Sequence, residues 1–326
     1  MNRLPRHILI AAIGAFMCAA IPMKAYTQQS GRLQPDTYKY VERDSFLCLD
    51  VYKPITPRAD KAAVLMAFGG GFFSGERNNI HMKNWAHALT EHGFTVISID
   101  YRLGFRNREM VAANSKLFKV TGLFRYCIDI AVEDCAAAVA WVCSNAQELD
   151  IDPSKIILTG SSAGAITVLQ LDYCRANSLK EASELPHGWK PAAVIPYSGG
   201  IMCRDSKLKY ATDPAPTMLM HGKKDRIVTY KSFGLPFSDK IHGGKKVDKA
   251  MNRQDIPHWI IRFEDIGHEV ANWLPGSIDL FCTFADLTLA GRITTLDATM
   301  TDSDLKPASW AQMNMLQMYT RRRQKR

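Results

Sequence analysis

The chain has no Cys-x-x-Cys pair, no Gly-x-x-x-x-Gly-Lys-[Ser/Thr] loop, no Gly-x-Gly-x-x-Gly turn and no internal repeat. The first absence argues against a structural zinc site. The next two argue against nucleotide binding, and the last against a solenoid. Charge is modest, at 22% of 326 residues against 47% hydrophobic, which excludes intrinsic disorder and leaves material for a sizeable core. Eight cysteines in this length do not make a disulfide scaffold. Three of them, Cys127, Cys135 and Cys143, recur eight apart in one helical stretch, a spacing that does not keep them on one face. Buried thiols with one or two disulfides are the expectation.

The net charge of +9 has a local origin. Arg3, Arg6 and Lys24 lie in the first 25 residues, which hold no acid, and five more cations crowd into the last six residues. The rest is almost neutral. A neutral body with a basic tip offers no nucleic-acid-binding face. Arg3, Arg6 and His7 precede an apolar run from Ile8 to Ile21, ended by Pro22 and followed by Ala25. That is the layout of a secretory signal peptide, and the run is short of the ~20 residues of a membrane span. Residues 1–25 are therefore expected to be an export signal, with a retained N-terminal anchor, and hence membrane attachment, as the alternative.

Residues 26–45 are polar and suggest an entry segment. Beyond them, short apolar runs alternate with helical stretches. Phe46–Tyr52, Ala62–Phe68, Thr95–Ile99, Lys155–Thr159, Ala192–Tyr197, Pro216–Met220 and His258–Phe263 suit strands, most of them buried on both faces. His81–His92, Tyr126–Glu148, Ala163–Ala176 and Val270–Leu289 suit helices. The alternation predicts an α/β fold, a mostly parallel central sheet with helices on both faces. Residues 103–125 are irregular and basic and suggest a cap over a site. Residues 234–250, with three glycines and several lysines, suggest a surface loop. Residues 26–290 form the expected catalytic domain, and 291–326 a C-terminal helical extension with a helix from Trp310, N-capped by Ser309, and a basic tip.

Gly160-Ser161-Ser162-Ala163-Gly164 stands between a strand and a helix. In that setting the pattern makes a sharp turn that thrusts the serine oxygen outward, glycines two residues away on each side avoid collision, and the helix N-terminus favours developing negative charge. Gly69-Gly70-Gly71-Phe72 follows another strand and can turn backbone N–H groups toward an oxyanion, together with that of Ala163. A serine nucleophile needs a base, and the base an orienting acid. His268 lies just past the strand His258–Phe263, at the sheet edge where such a site opens, whereas His258 starts that strand at the opposite end. His221 is expected to structure its loop. Asp225 is the first choice of acid, with Asp239, Asp248, Asp255 and Asp265 as competitors. Arg102 is expected to pair with Asp134 or Glu133. Tyr101 and Tyr197, at strand ends, are candidates to line the substrate cleft or belong to the core.

Together these motifs resemble the α/β-hydrolase superfamily, in particular the esterases of the hormone-sensitive-lipase-like and carbohydrate-esterase (feruloyl or acetylxylan type) groups. The resemblance runs through Gly69-Gly70-Gly71-Phe72, Asp100-Tyr101-Arg102-Leu103, Asp152-Pro153, Gly160-Ser161-Ser162-Ala163-Gly164, His221-Gly222-x-x-Asp225 and Gly267-His268, over about residues 45–290. It implies Ser162 as nucleophile, Asp225 and His268 as its partners, Gly70, Gly71 and Ala163 as oxyanion donors, and no metal or organic cofactor. The expected activity is cleavage of carboxylic esters, small or carbohydrate-borne, by an exported enzyme. An exopeptidase of the prolyl-oligopeptidase type and a catalytically impaired binding protein on the same fold are the alternatives. The chain departs from the resemblance at Phe68, where the oxyanion motif usually begins with histidine, and in the long spacing from Asp225 to His268.

Overall fold

The computed structural model describes residues 34–107, 120–234 and 238–313. The export signal expected at 1–25, most of the expected cap at 103–125 and the basic tip lie outside the described residues.

Five apolar runs of the sequence become strands buried along their whole length: β3 (Ala63–Ala67), β4 (Thr95–Ile99), β5 (Ile156–Ser161), β6 (Ala193–Tyr197) and β8 (Thr217–Gly222). They join β1 (Asp36–Glu42), β2 (Phe46–Tyr52), β11 (His258–Phe263) and β12 (Leu296–Met300) in one nine-stranded sheet of order β1-β2-β4-β3-β5-β6-β8-β11-β12. β1 and β2 are antiparallel to their neighbours, and every pairing from β4 to β12 is parallel. Parallel pairing needs crossover elements, and among the described residues five helices of ten residues or more accompany the sheet: α1 (Ile80–Glu91), α2 (Val120–Ser144), α3 (Ala163–Ala176), α4 (Gly244–Arg253) and α5 (Ile278–Leu289). α3 is buried along almost its entire length, which suits a helix at the middle of the sheet.

Four expectations are corrected. The polar entry segment contains β1, an edge strand whose side chains stay largely exposed and so carry no continuous apolar run. The expected surface loop at 234–250 contains β10 (Lys240–Gly243), which pairs with β7 (Gly200–Cys203) and β9 (Ser232–Phe233) in a small antiparallel sheet, and then α4. α4 buries Val247, Ala250 and Met251 on one face while its lysines occupy the rest. The described part of the expected C-terminal helical extension is instead β12, which closes the sheet edge beside β11, followed by a short 3-10 turn at Ser309–Gln312; the rest of the helix expected from Trp310 lies outside the described residues. All seven described cysteines are free thiols.

Candidate active site

β5 ends at Ser161, and Ser162 takes φ 51° and ψ −111° before α3 begins. A non-glycine residue in that region is strained, and the surroundings must hold it there. They do so from both sides. The Ser162 N–H donates to the carbonyl of Tyr197 on β6 (3.0 Å), and its carbonyl accepts from Ile166 N–H in α3 (2.9 Å). The flanking glycines permit two close approaches. A Cβ on Gly160 would come within 2.5 Å of the Gly164 carbonyl carbon, and one on Gly164 would overlap the carbonyl oxygen of Ala67 at the end of β3.

Asp225 and His268 follow β8 and β11, which are neighbours in the sheet. Their loops are laced together: Lys223 N–H donates to Phe263 O (2.8 Å) and Lys224 N–H to Ile266 O (3.0 Å). Gly222 allows this, because a side chain there would collide with the carbonyl of Gly267. The outcome is a continuous relay. His268 Nδ1 lies 2.7 Å from Asp225 Oδ2, and His268 Nε2 lies 2.7 Å from Ser162 Oγ. A carboxylate only accepts, so Nδ1 carries the proton and Nε2 is left to accept from the serine hydroxyl. The other carboxylate oxygen, Oδ1, accepts from the N–H groups of Ile227 and Val228, both at 2.9 Å. Asp225 and His268 are buried, and Ser162 is half-buried.

A second imidazole stands beside the same acid. His221 Nε2 is 3.5 Å from Asp225 Oδ2, but it donates to Val228 O at 2.9 Å, and its Nδ1 receives the N–H of Gly244. Burial holds the His221 imidazole below the usual histidine range in spite of the Asp225 charge. It is the loop-structuring residue expected of it. Of the competing acids, Asp248 faces His258 (3.1 Å) and Asp265 pairs with Lys224 at the surface (2.8 Å).

The glycine loop after β3 packs directly on the serine turn: a Cβ on Gly69 would sit 2.9 Å from Ser161 Oγ and 3.4 Å from Ser162 Cβ. Gly70 and Gly71 have φ of 133° and 66°, and the Gly70 carbonyl accepts from both Phe73 and Ser74 N–H (3.2 Å each). Ala163 is the first residue of α3, where backbone N–H groups have no partner within the helix. The backbones of Gly70, Gly71 and Ala163 thus belong to segments that meet at Ser162. Phe68, at the usual histidine position, supports the loop through its ring, stacked on Tyr101 at 4.3 Å, and through its carbonyl, which accepts from the Tyr101 hydroxyl at 2.6 Å.

That contact corrects one expectation. Tyr101 is buried beneath the glycine loop, and Tyr197 is fully buried with its hydroxyl 2.8 Å from Ser277 Oγ, so neither lines an open cleft. Strand C-termini point at the site, but an aromatic ring there fills the space under the loops first. Arg102 bonds both expected acids: Nε to Asp134 (2.9 Å) and Nη2 to Glu133 (3.0 Å). Two further residues adjoin the site. Glu269 receives N–H bonds from Gly267 (2.8 Å) and Ala308 (2.6 Å), and the Trp310 ring stands edge-on to His268, with centroids 6.1 Å apart. Sequence reasoning missed both: adjacency to His268 is the signal that would have found Glu269, whereas no local pattern marks Trp310.

A family model described as the carboxylesterase family matches residues 17–178. Lipase 2 of Moraxella sp. (strain TA144) is 33% identical over 106 residues, 32% of this chain and 20% of that protein. Esterase E4 of Myzus persicae is 30% identical over 135 residues, 40% of this chain and 22% of that one. The arylesterase of Saccharolobus solfataricus is 30% identical over 146 residues, 44% of this chain and 40% of that one. The chain thus spans about a fifth of the length of the first two relatives and two-fifths of the third. Among solved structures, the apo form of Thermogutta terrifontis esterase 2 superposes with a TM-score of 0.55 at 21% identity, covering 83% of this chain and 99% of that one. Its propionate-bound form gives 0.56 at 21% identity, covering 81% and 97%. Strand order and superposition give the chain the α/β-hydrolase fold, and just under half of it matches the carboxylesterase family model.

Proposed function

We propose that this protein is a serine hydrolase of carboxylic esters that works through an acyl-enzyme. The observation that carries the reading is the relay Asp225–His268–Ser162, 2.7 Å at each step, on a strained turn at the carboxyl edge of a parallel sheet. His268 Nε2 takes the proton as Ser162 Oγ attacks the ester carbonyl. Asp225 holds the imidazole in the tautomer that can accept and stabilises the imidazolium that forms. The backbone N–H groups of Gly70, Gly71 and Ala163 are the proposed donors to the tetrahedral oxyanion, each worth about 10²–10³ in turnover. His268 then gives its proton to the leaving alcohol oxygen, and water repeats the sequence on the acyl-serine. His221, held neutral by burial, leaves the Asp225 charge to His268 alone.

Export belongs to the same proposal, on the N-terminal pattern of cations, apolar run and small residues. Small-molecule esters and acyl groups on carbohydrates are its substrate classes, the second on the resemblance of the motifs to carbohydrate esterases. The test is hydrolysis of 4-nitrophenyl acetate and longer acyl esters by wild type and Ser162→Ala. Loss of about a million-fold in turnover is expected in the variant. Equal, near-background rates in both would defeat the reading.

A further inference from the structure

The segment 302–313 crosses the loop that carries His268 and is fastened to it. Glu269 bridges the two: one carboxylate oxygen accepts from Gly267 N–H, one residue before His268, and the other from Ala308 N–H. Asp302 accepts from the indole N–H of Trp273, at the end of the same loop, at 2.6 Å. Ala311 is buried. Between these anchors stands Trp310, 42% exposed, its ring nearly perpendicular to the imidazole of His268 (80°). A tryptophan offers up to ~250 Å² of mostly apolar surface, and leaving much of it in water forgoes that burial. Two carboxylate contacts that tie the segment to the loop, a third that braces Glu269 within it, and an open indole beside the reacting histidine, are features of a prepared ligand wall.

We propose that Trp310 is a specificity-determining residue, the wall of the leaving-alcohol subsite, and that it stacks on a ring-bearing alcohol, aromatic or sugar. The inference rests on the ester-hydrolase reading above. In that reaction the ester C–O bond breaks, its electron pair goes to the alcohol oxygen, and that oxygen takes the Nε2 proton of His268 while the acyl group stays on Ser162. The group beside His268 therefore meets the alcohol half of the ester. An aromatic ring, or the C–H face of a pyranose, lies against an indole over an area that a methyl group cannot match.

The test compares methyl acetate, 2-naphthyl acetate and a monoacetylated methyl xyloside on wild type, Trp310→Phe and Trp310→Leu. The readout is the ratio of kcat/KM for each ring ester to that for methyl acetate. Removal of the ring in Trp310→Leu should lower that ratio about three- to tenfold, the range of an aromatic contact, and Trp310→Phe should lower it less. A fall for naphthyl or for the sugar identifies which ring the wall serves. A role confined to shielding His268 would lower all three esters alike and leave the ratio unmoved, which overturns the proposal. A second readout needs no variant: 2-naphthol or methyl xyloside should inhibit wild type at concentrations where methanol does not, and absence of inhibition by both rings counts equally against it. A wild type that hydrolyses none of the three esters defeats the ester-hydrolase reading itself, a result distinct from turnover with an unmoved ratio.

Discussion

Asp225→Asn is the sharpest probe of the relay, because the structure dictates which way the new amide must face. Asp225 Oδ1 accepts from two backbone N–H groups at 2.9 Å, and Oδ2 from His268 Nδ1 at 2.7 Å. An amide NH₂ at the Oδ1 position would confront two backbone donors that cannot turn away. Each would be left buried and unpaired, at about 1–3 kcal/mol apiece. At the Oδ2 position it confronts the imidazole of His268, which can change tautomer, and His221 Nε2 at a longer 3.5 Å. The amide oxygen therefore takes the Oδ1 site and the NH₂ faces His268. Nδ1 must then accept, the proton moves to Nε2, and Nε2 points a hydrogen at Ser162 Oγ instead of a lone pair. His221 cannot substitute, since its Nε2 proton is committed to Val228 O. Turnover should fall by about 10⁴, or ~5.4 kcal/mol in the barrier, with no change in fold. Steady-state hydrolysis of 4-nitrophenyl acetate, paired with circular dichroism and thermal melting, measures both. A well-folded Asp225→Asn enzyme that keeps a tenth of wild-type turnover would refute the assignment of Asp225.

Further outcomes follow from the same geometry. Ser162→Gly and Ser162→Ala should both be inactive, yet the glycine variant should be the more stable by about 1 kcal/mol. Relief of roughly 1–3 kcal/mol of strain at φ 51° exceeds the ~0.5–1 kcal/mol entropic cost of glycine, and differential scanning calorimetry reads the difference as about 1.5 °C in a chain of this length. Asp134 is fully buried and receives Arg102 through both its backbone N–H and Nε, and Arg43 as well. Asp134→Ala removes the buried acid that both cations share, leaving Arg102 only Glu133 and Arg43 only Glu184, and should cost about 1–3 kcal/mol, seen as a lower urea midpoint. Burial holds His221 below 6.5, so as pH falls past 6.5 the unfolded chain takes up a proton that the native state refuses. Stability should therefore decline on that side, by at most about 1.4 kcal/mol per pH unit for this group, and His242 adds in the same direction. Asp129, pushed up to about 6 by burial, opposes the trend below pH 6 because the native state protonates it first. Melting curves between pH 6 and 7.5 read the net slope, and comparison with His221→Asn, where the decline should be shallower, separates the His221 share from that of Asp129.

What the sequence by itself determined is local. The apolar runs from Ala62–Phe68 to His258–Phe263 are buried on both faces, so their pattern survives any neighbour and announces a parallel sheet. The glycines at 160 and 164 flank a serine between strand and helix, and the collisions that require them occur within a few residues of the turn or on the adjacent strand. Elements at the margins were not legible. β1 and β12 leave much of their surface exposed, and α4 buries three apolar residues among lysines, so none of them carries the signature of a core element. Tertiary structure separated Asp225 from the four competing aspartates that the sequence ranked behind it, because the pairing of β8 beside β11 brings Asp225 to His268. It also took Tyr101 and Tyr197 out of the cleft and into the packing beneath it, and brought Trp310, 42 residues beyond His268 along the chain, to within 6.1 Å of its ring. Short-range sterics and burial are written in a residue's own neighbours, whereas which distant loops meet depends on the order in which strands pair.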